Sequence, residues 1–203
     1  MIFDILVGIL FALIFYATGF IGDISLIWCL FLAIIFSVLP DMDVIHDIIK
    51  QGKVAAHAGN PRDHRDFIHH PILYLIIGNL IILYFGHESN INRIAWMTLF
   101  SILSLGHFIH DSFGTGWGVK WLSPFSQDSF RLCTDPKNGE YSKTTLVSRW
   151  TPENKKDLII RYGRLDWADD EDGKVTSKSI FMIEKKATVI TLIIIIVLSI
   201  YYF

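Results

Sequence analysis

Leu105-Gly106-His107-Phe108-Ile109-His110-Asp111 closes an apolar run that begins near Ile94. Read as a helix, the stretch places His107 and Asp111 four residues apart on one face, with His110 one turn from His107. An imidazole nitrogen and a carboxylate oxygen at that spacing suit a divalent cation such as zinc. Ionisable side chains at the end of an apolar helix are costly and are ordinarily partnered. The rest of the chain has to supply those partners, and its apolar runs say where they would lie.

With 52% hydrophobic residues in 203, the chain is too apolar for an ordinary soluble domain of this size and reads as a membrane protein. The formal charge of -2 excludes little, because the charges are segregated: residues 112–186 carry most of them. Two cysteines make no disulfide framework, since Cys29 lies in an apolar run and Cys133 in a polar segment. The N-terminus lacks a basic region and a small-residue cleavage site, so no cleavable signal is expected. There is no G-x-S-x-G nucleophile, P-loop or dinucleotide fingerprint, and no nucleic-acid signal.

Five apolar runs cover residues 2–21, 24–39, 72–85, 94–109 and 187–203. They predict an all-α membrane protein: a bundle of four core transmembrane helices plus a C-terminal fifth, with a polar insertion before it. The expected divisions are a membrane-embedded core over 1–126, a polar and partly helical cytoplasmic segment over 127–186, and a terminal span over 187–203. Within the polar segment, Thr151-Pro152 predicts a helix start, with threonine as cap and proline at the first position, running to about Tyr162.

If the first four runs all span, the N-terminus, the 40–71 loop and the segment after Asp111 share one membrane face. That face collects Asp4, Asp41, Asp43, His46, His64, His69, His107 and Asp111, together with seventeen of the eighteen Lys and Arg residues. The positive-inside rule then makes it cytoplasmic. Each group also has a bland reading. His107 and Asp111 could share a hydrogen bond; Asp41 and Asp43 could be a solvated helix start. His64, Arg65 and His69 could be a basic loop on lipid phosphates, and Asp4 could snorkel from its helix end. His46 and His57 read as bland, His70 as a ligand or a supporting group, and His87 as unrelated. Convergence of three motifs on one face favours a single site.

These motifs resemble those of the YdjM-like family of predicted inner-membrane metal-dependent hydrolases, also described as LexA-binding. That family carries P-D-x-D, then H-R-G-x-T-H-S, then H-x-x-x-D followed by a glycine and a leucine–proline pair. Here the matching residues are Pro40 to Asp43, His64 to His70, His107 to Asp111, then Gly118, Leu122 and Pro124. The likeness covers roughly residues 1–126, and the chain beyond them reads as an addition. Asp66, Ile68 and His70 depart from the family's glycine, threonine and serine, and Asp4 stands where a histidine is usual. Aspartate there shifts the donor set toward harder oxygen ligands. The helical His and Asp arrangement is also similar, at the level of fold analogy, to zinc-dependent phospholipase C and single-strand nucleases.

The expected function is metal-assisted hydrolysis at the cytoplasmic face of the inner membrane, on a phosphoester or lipid-like substrate. The candidate metal ligands are Asp41, Asp43, His64, His69, His107, Asp111 and Asp4. Arg65 is the candidate phosphate-holding cation, and Asp43 or Asp47 the candidate base. The cofactor would be one or two divalent ions, zinc first, then manganese or iron. The expected partners are the lipid bilayer and such a substrate. Two alternatives have different chemistry: a non-catalytic membrane protein whose residues 112–186 bind a soluble partner, and a metal-ion transporter. Transport would need polar groups through the apolar runs, where only Asn79, Thr98, Ser101 and Ser104 are on offer between residues 72–85 and 94–106.

Overall fold

A computed structural model describes residues 2–42, 49, 64–66, 68–86, 92–113, 117–139, 142–162 and 176–202. Six helices and a two-stranded sheet lie among them. In chain order these are α1 (Ile2–Ala17), α2 (Leu26–Val38), α3 (Pro71–Phe85), α4 (Arg93–Phe113), β1 (Ser129–Leu132), β2 (Val147–Trp150), α5 (Pro152–Tyr162) and α6 (Thr176–Tyr202). Short 3-10 turns cover Leu39–Asp41 and His64–Asp66.

The expectation of four core transmembrane helices plus a fifth is not met. Among the described residues one helical stretch, Lys185–Tyr202 of α6, is long and apolar enough to cross a membrane. Length decides against α1, α2 and α3. At 16, 13 and 15 residues they reach roughly 24, 20 and 22 Å at the usual helical rise, against about 30 Å of bilayer hydrocarbon. Composition decides against α4, which has 21 residues but includes Arg93, three histidine or aspartate side chains near its end and several hydroxyls. The inference that span counting gathers the polar motifs on one face falls with those spans. The fold is also not purely helical, since β1 and β2 pair antiparallel with Ser129 opposite Trp150 and Leu132 opposite Val147.

The chain forms two compact units, each discontinuous in sequence. The first comprises Met1–Pro40, Leu75–His107 and Ile183–Phe203; the second comprises Asp41–Tyr74 and Phe108–Met182. In the first unit, α1 and α2 pack through small residues. A Cβ on Gly8 would stand 2.9 Å from both the Ala33 carbonyl oxygen and Ser37 Oγ, so only glycine lets the backbones approach this closely. Ala12, Cys29 and Ala33 are fully buried. Phe36 meets Trp96 and Phe100 edge-to-face, with ring centroids 6.2 and 5.3 Å apart. Asn92 caps α4, its Oδ1 accepting from Ala95 N at 3.2 Å.

In the second unit, α5 starts where Thr151-Pro152 predicts, with Thr151 Oγ1 accepting from Asn154 N at 3.3 Å. Trp117 and Ile159 form a small buried core, and Trp117 meets Trp150 edge-to-face at 5.9 Å. Gly118 has φ +84°, and a Cβ there would lie 2.6 Å from the Phe130 carbonyl oxygen. That close approach lets Val119 exchange two 2.9 Å backbone hydrogen bonds with Phe130, which gives the glycine after H-x-x-x-D a steric reason.

Candidate metal centre

Three local devices set the site. Pro40 sits in the 3-10 turn that follows α2 and delivers Asp41. The second 3-10 turn delivers Arg65 and Asp66. Pro71 opens α3, where its missing N–H costs nothing, and holds His69 and His70 in the irregular backbone just before the helix.

Within the second unit these side chains meet Asp111. His69 is fully buried, and its Nε2 lies 2.8 Å from Asp111 Oδ2 and 3.8 Å from Asp41 Oδ1. Arg65 Nη2 donates to the other Asp111 oxygen at 3.1 Å. The guanidinium therefore orients the carboxylate. The boundary between the units falls within α4, after His107, and the helix runs through it unbroken. His107 is thereby one turn before Asp111 on the same face. Within the second unit Asp41, His69 and Asp111 each offer one donor atom, all within 4.8 Å of one another, and His107 adds its ring on the Asp111 face of α4. In the first unit, His107 Nδ1 also lies 3.6 Å from Asp4 Oδ1, and Asp4 is 4% exposed despite its charge.

Two imidazoles and two carboxylates form a donor set suited to zinc, iron or manganese. A tetrahedral ion about 2.1 Å from each donor would set neighbouring donors roughly 3.4 Å apart. The 2.8 and 3.8 Å separations around His69 bracket that value. The residues present therefore fit a divalent cation.

Of the other candidates, Asp43 and Asp47 lie outside the described residues, as do His46 and His57. The backbone of His64 is placed in its turn but its side chain is not described. His70 is half-buried, its Nε2 3.2 Å from the Asp66 carbonyl oxygen. Burial first, then the Lys120 charge, lowers its pKa and favours the neutral ring, while Asp66 partly opposes this.

One ionic hub is almost invisible in the sequence. Asp66 receives Lys120 Nζ at 3.1 Å and Lys155 Nζ at 3.0 Å. Lys155 is 4% exposed, and the residue facing it is 89 positions away. The hub's single trace is Asp66 itself, an acid where the motif favours glycine. Paired to two ammonium groups, it ties α5 to the turn that carries Arg65.

The model of the YdjM inner membrane protein family matches residues 3–202. The chain belongs to that family. The match runs through the segment after Gln127 and through α6, which the motifs alone would leave as additions, so this YdjM family member carries the family sequence from α1 to the end of α6. No curated protein and no solved structure matches it. The family is one of inner membrane proteins, which accords with the apolar stretch Lys185–Tyr202.

Proposed function

We propose that this inner membrane protein is a metal-dependent hydrolase of phosphoesters. One observation carries the reading: Asp41, His69 and Asp111, from three separate stretches of sequence, offer donor atoms within 4.8 Å of one another, with His107 one turn before Asp111 on the same helix. A divalent ion bound there, zinc ahead of manganese or iron, would lower the pKa of a water ligand toward neutrality. Arg65 orients Asp111 and places positive charge beside the point where a phosphoester would gain negative charge. Asp43 or Asp47 takes the role of base, and His64 and Asp4 remain further ligand candidates. Lys185 and Lys186 stand at the start of the α6 span, and the positive-inside rule assigns the chain before them to the cytoplasm.

Transport gains no comparable support. Asn79 Nδ2 donates to Ser101 Oγ at 2.9 Å, and Thr98 Oγ1 donates to the Ile94 carbonyl at 2.7 Å. The first bond braces two helices and the second stays within one turn.

The test is elemental analysis of detergent-purified protein beside His107→Ala and Asp111→Ala, with phosphomonoester and phosphodiester hydrolysis measured on the same samples. Stoichiometric metal and phosphoester cleavage, both lost in the two variants, are the expected results. A wild type that holds no metal and takes up none when it is supplied would end the proposal.

A further inference from the structure

The β1–β2 hairpin is turned inside out. Ser129, Arg131, Ser148 and Trp150 form its buried face, where Arg131 Nη1 donates to the Gly139 carbonyl at 3.1 Å and Ser148 Oγ donates to the Thr134 carbonyl. Phe130, Leu132, Val147 and Arg149 therefore point the other way, and Arg149 is held by Asp128. Together with Ser112, Trp121 and Leu122 the three apolar side chains line an open groove of about 200 Å³. Leu122 and Val147 are about half exposed there, while Phe125 at 85% and Leu146 at 74% stand beside them in sequence. An exposed apolar cluster of this kind in an otherwise polar segment marks a binding surface.

The groove adjoins the candidate metal centre within the second unit. Its Ser112 follows Asp111 directly on α4. Trp121 Nε1 donates to Ser112 Oγ at 2.8 Å. The Phe108 ring meets both His69, at 5.7 Å, and Trp121, at 6.4 Å. A ligand whose polar end reached Asp111 could lay an apolar tail along Trp121.

We infer that this groove seats an acyl chain of a bilayer phospholipid, so that the substrates of the proposed hydrolase are lipid phosphoesters; the inference rests on that reading for the chemistry, not for the binding. The lining distinguishes an acyl chain from a peptide. Its one polar side chain, Ser112, already donates to the Phe108 carbonyl at 2.8 Å and accepts from Trp121. A peptide laid here would bury its own N–H and C=O groups with nothing to bond them, whereas a hydrocarbon chain has no such groups. The volume falls below the roughly 300 Å³ at which ligand pockets begin, so it accommodates part of one chain and not a whole amphiphile. The apolar stretch of α6 supplies the membrane attachment that keeps such chains at hand.

The test uses the full chain in vesicles of phosphatidylglycerol doped with the same lipid carrying a diazirine midway along one acyl chain. After photolysis, the labelled peptides are mapped by mass spectrometry. Labelling at Trp121, Leu122, Phe130, Leu132 or Val147 is expected. In Val147→Glu it should fall about tenfold, because the added carboxylate must be desolvated by the chain, while labelling of α6 stays constant and reports intact insertion. Labels confined to α6 and the other apolar helices, or found on Phe125 and Leu146 but not on the lining, would overturn the inference. Metal content of the same preparation reports on the hydrolase separately: groove labelling in a metal-free protein would leave the lipid site standing without the chemistry.

Discussion

In the first unit, polar side chains of the apolar helices bond close to home. Ser37 Oγ donates to the Ile34 carbonyl and Thr98 Oγ1 to the Ile94 carbonyl, while Asn79 and Ser101 join one pair of helices. In the second unit the buried bonds join charges from remote sequence: Arg65 to Asp111 across 46 positions and Lys155 to Asp66 across 89. The first pattern asks only that apolar helices pack. The second asks that several turns and a helix arrive together, because a buried charge deprived of its partner is far costlier than an unfilled hydrogen bond in a hydrated region. Stability in the first unit should therefore respond to shape and in the second to charge. The pair Asp4–His107 marks where the contrast weakens, since it brings a buried carboxylate and an imidazole 3.6 Å apart in the first unit, at the very residue where α4 passes to the second.

The largest effect is expected at Asp111. Its two oxygens face Arg65 and His69, both of them buried. Asp111→Ala removes the carboxylate that accepts from Arg65 and faces His69, and breaking a buried pair from one side typically costs about 3–5 kcal/mol. Denaturant unfolding of the detergent-solubilised protein should show this loss even after a chelator has removed any metal. A variant as stable as the chelated wild type would mean that the carboxylate serves the metal alone, and the view of the second unit as charge-organised would fail.

Gly8 probes the other side of the contrast. The Ala33 carbonyl that a Cβ would meet at 2.9 Å is backbone and cannot rotate away. Overpacking of this kind costs about 1–3 kcal/mol. Gly8→Ala should lower unfolding stability by that amount and leave metal content unchanged. Loss of metal in this variant would show that α1 packing and the ligand set are one cooperative element.

The same contrast explains which features are legible in the sequence. Apolar runs reveal the helices, and Thr151-Pro152 reveals the start of α5, because those signals are local. The step from apolar run to membrane span fails on length: helices of 13 to 16 mostly apolar residues look alike in sequence whether they cross a bilayer or pack on one another. Residue type and the likeness to a known motif nominate His69, His107, Asp41 and Asp111, but span counting gives the wrong reason for their meeting. Asp41 is instead set by a 3-10 turn, His69 by the irregular backbone before α3, and His107 and Asp111 by the run of α4. The Asp66 hub has no local signature, since a lysine on α5 looks like any solvated helix charge until the fold buries it. The hairpin is hidden because each strand is four residues long, too short for an alternation to stand out, and because the pair buries Ser129, Arg131 and Ser148 beside Trp150.

The smallest expected effect separates a local brace from a functional polar path. Asn79 Nδ2 donates to Ser101 Oγ at 2.9 Å and to the Leu75 carbonyl at 2.9 Å. Asn79→Leu removes one member and leaves Ser101 without this partner, which should cost about 0.5–1.5 kcal/mol. Adding Ser101→Ala should recover most of that cost, because replacing both partners with apolar groups removes the desolvation along with the bond. A double variant near wild-type stability, with metal content intact in both, is what a packing brace between two helices predicts. Losses that simply add would show that each side chain answers to a separate partner. The polar groups of the first unit would then belong to a wider network, and its contrast with the second unit would narrow to the number of charges and not the reach of the bonds.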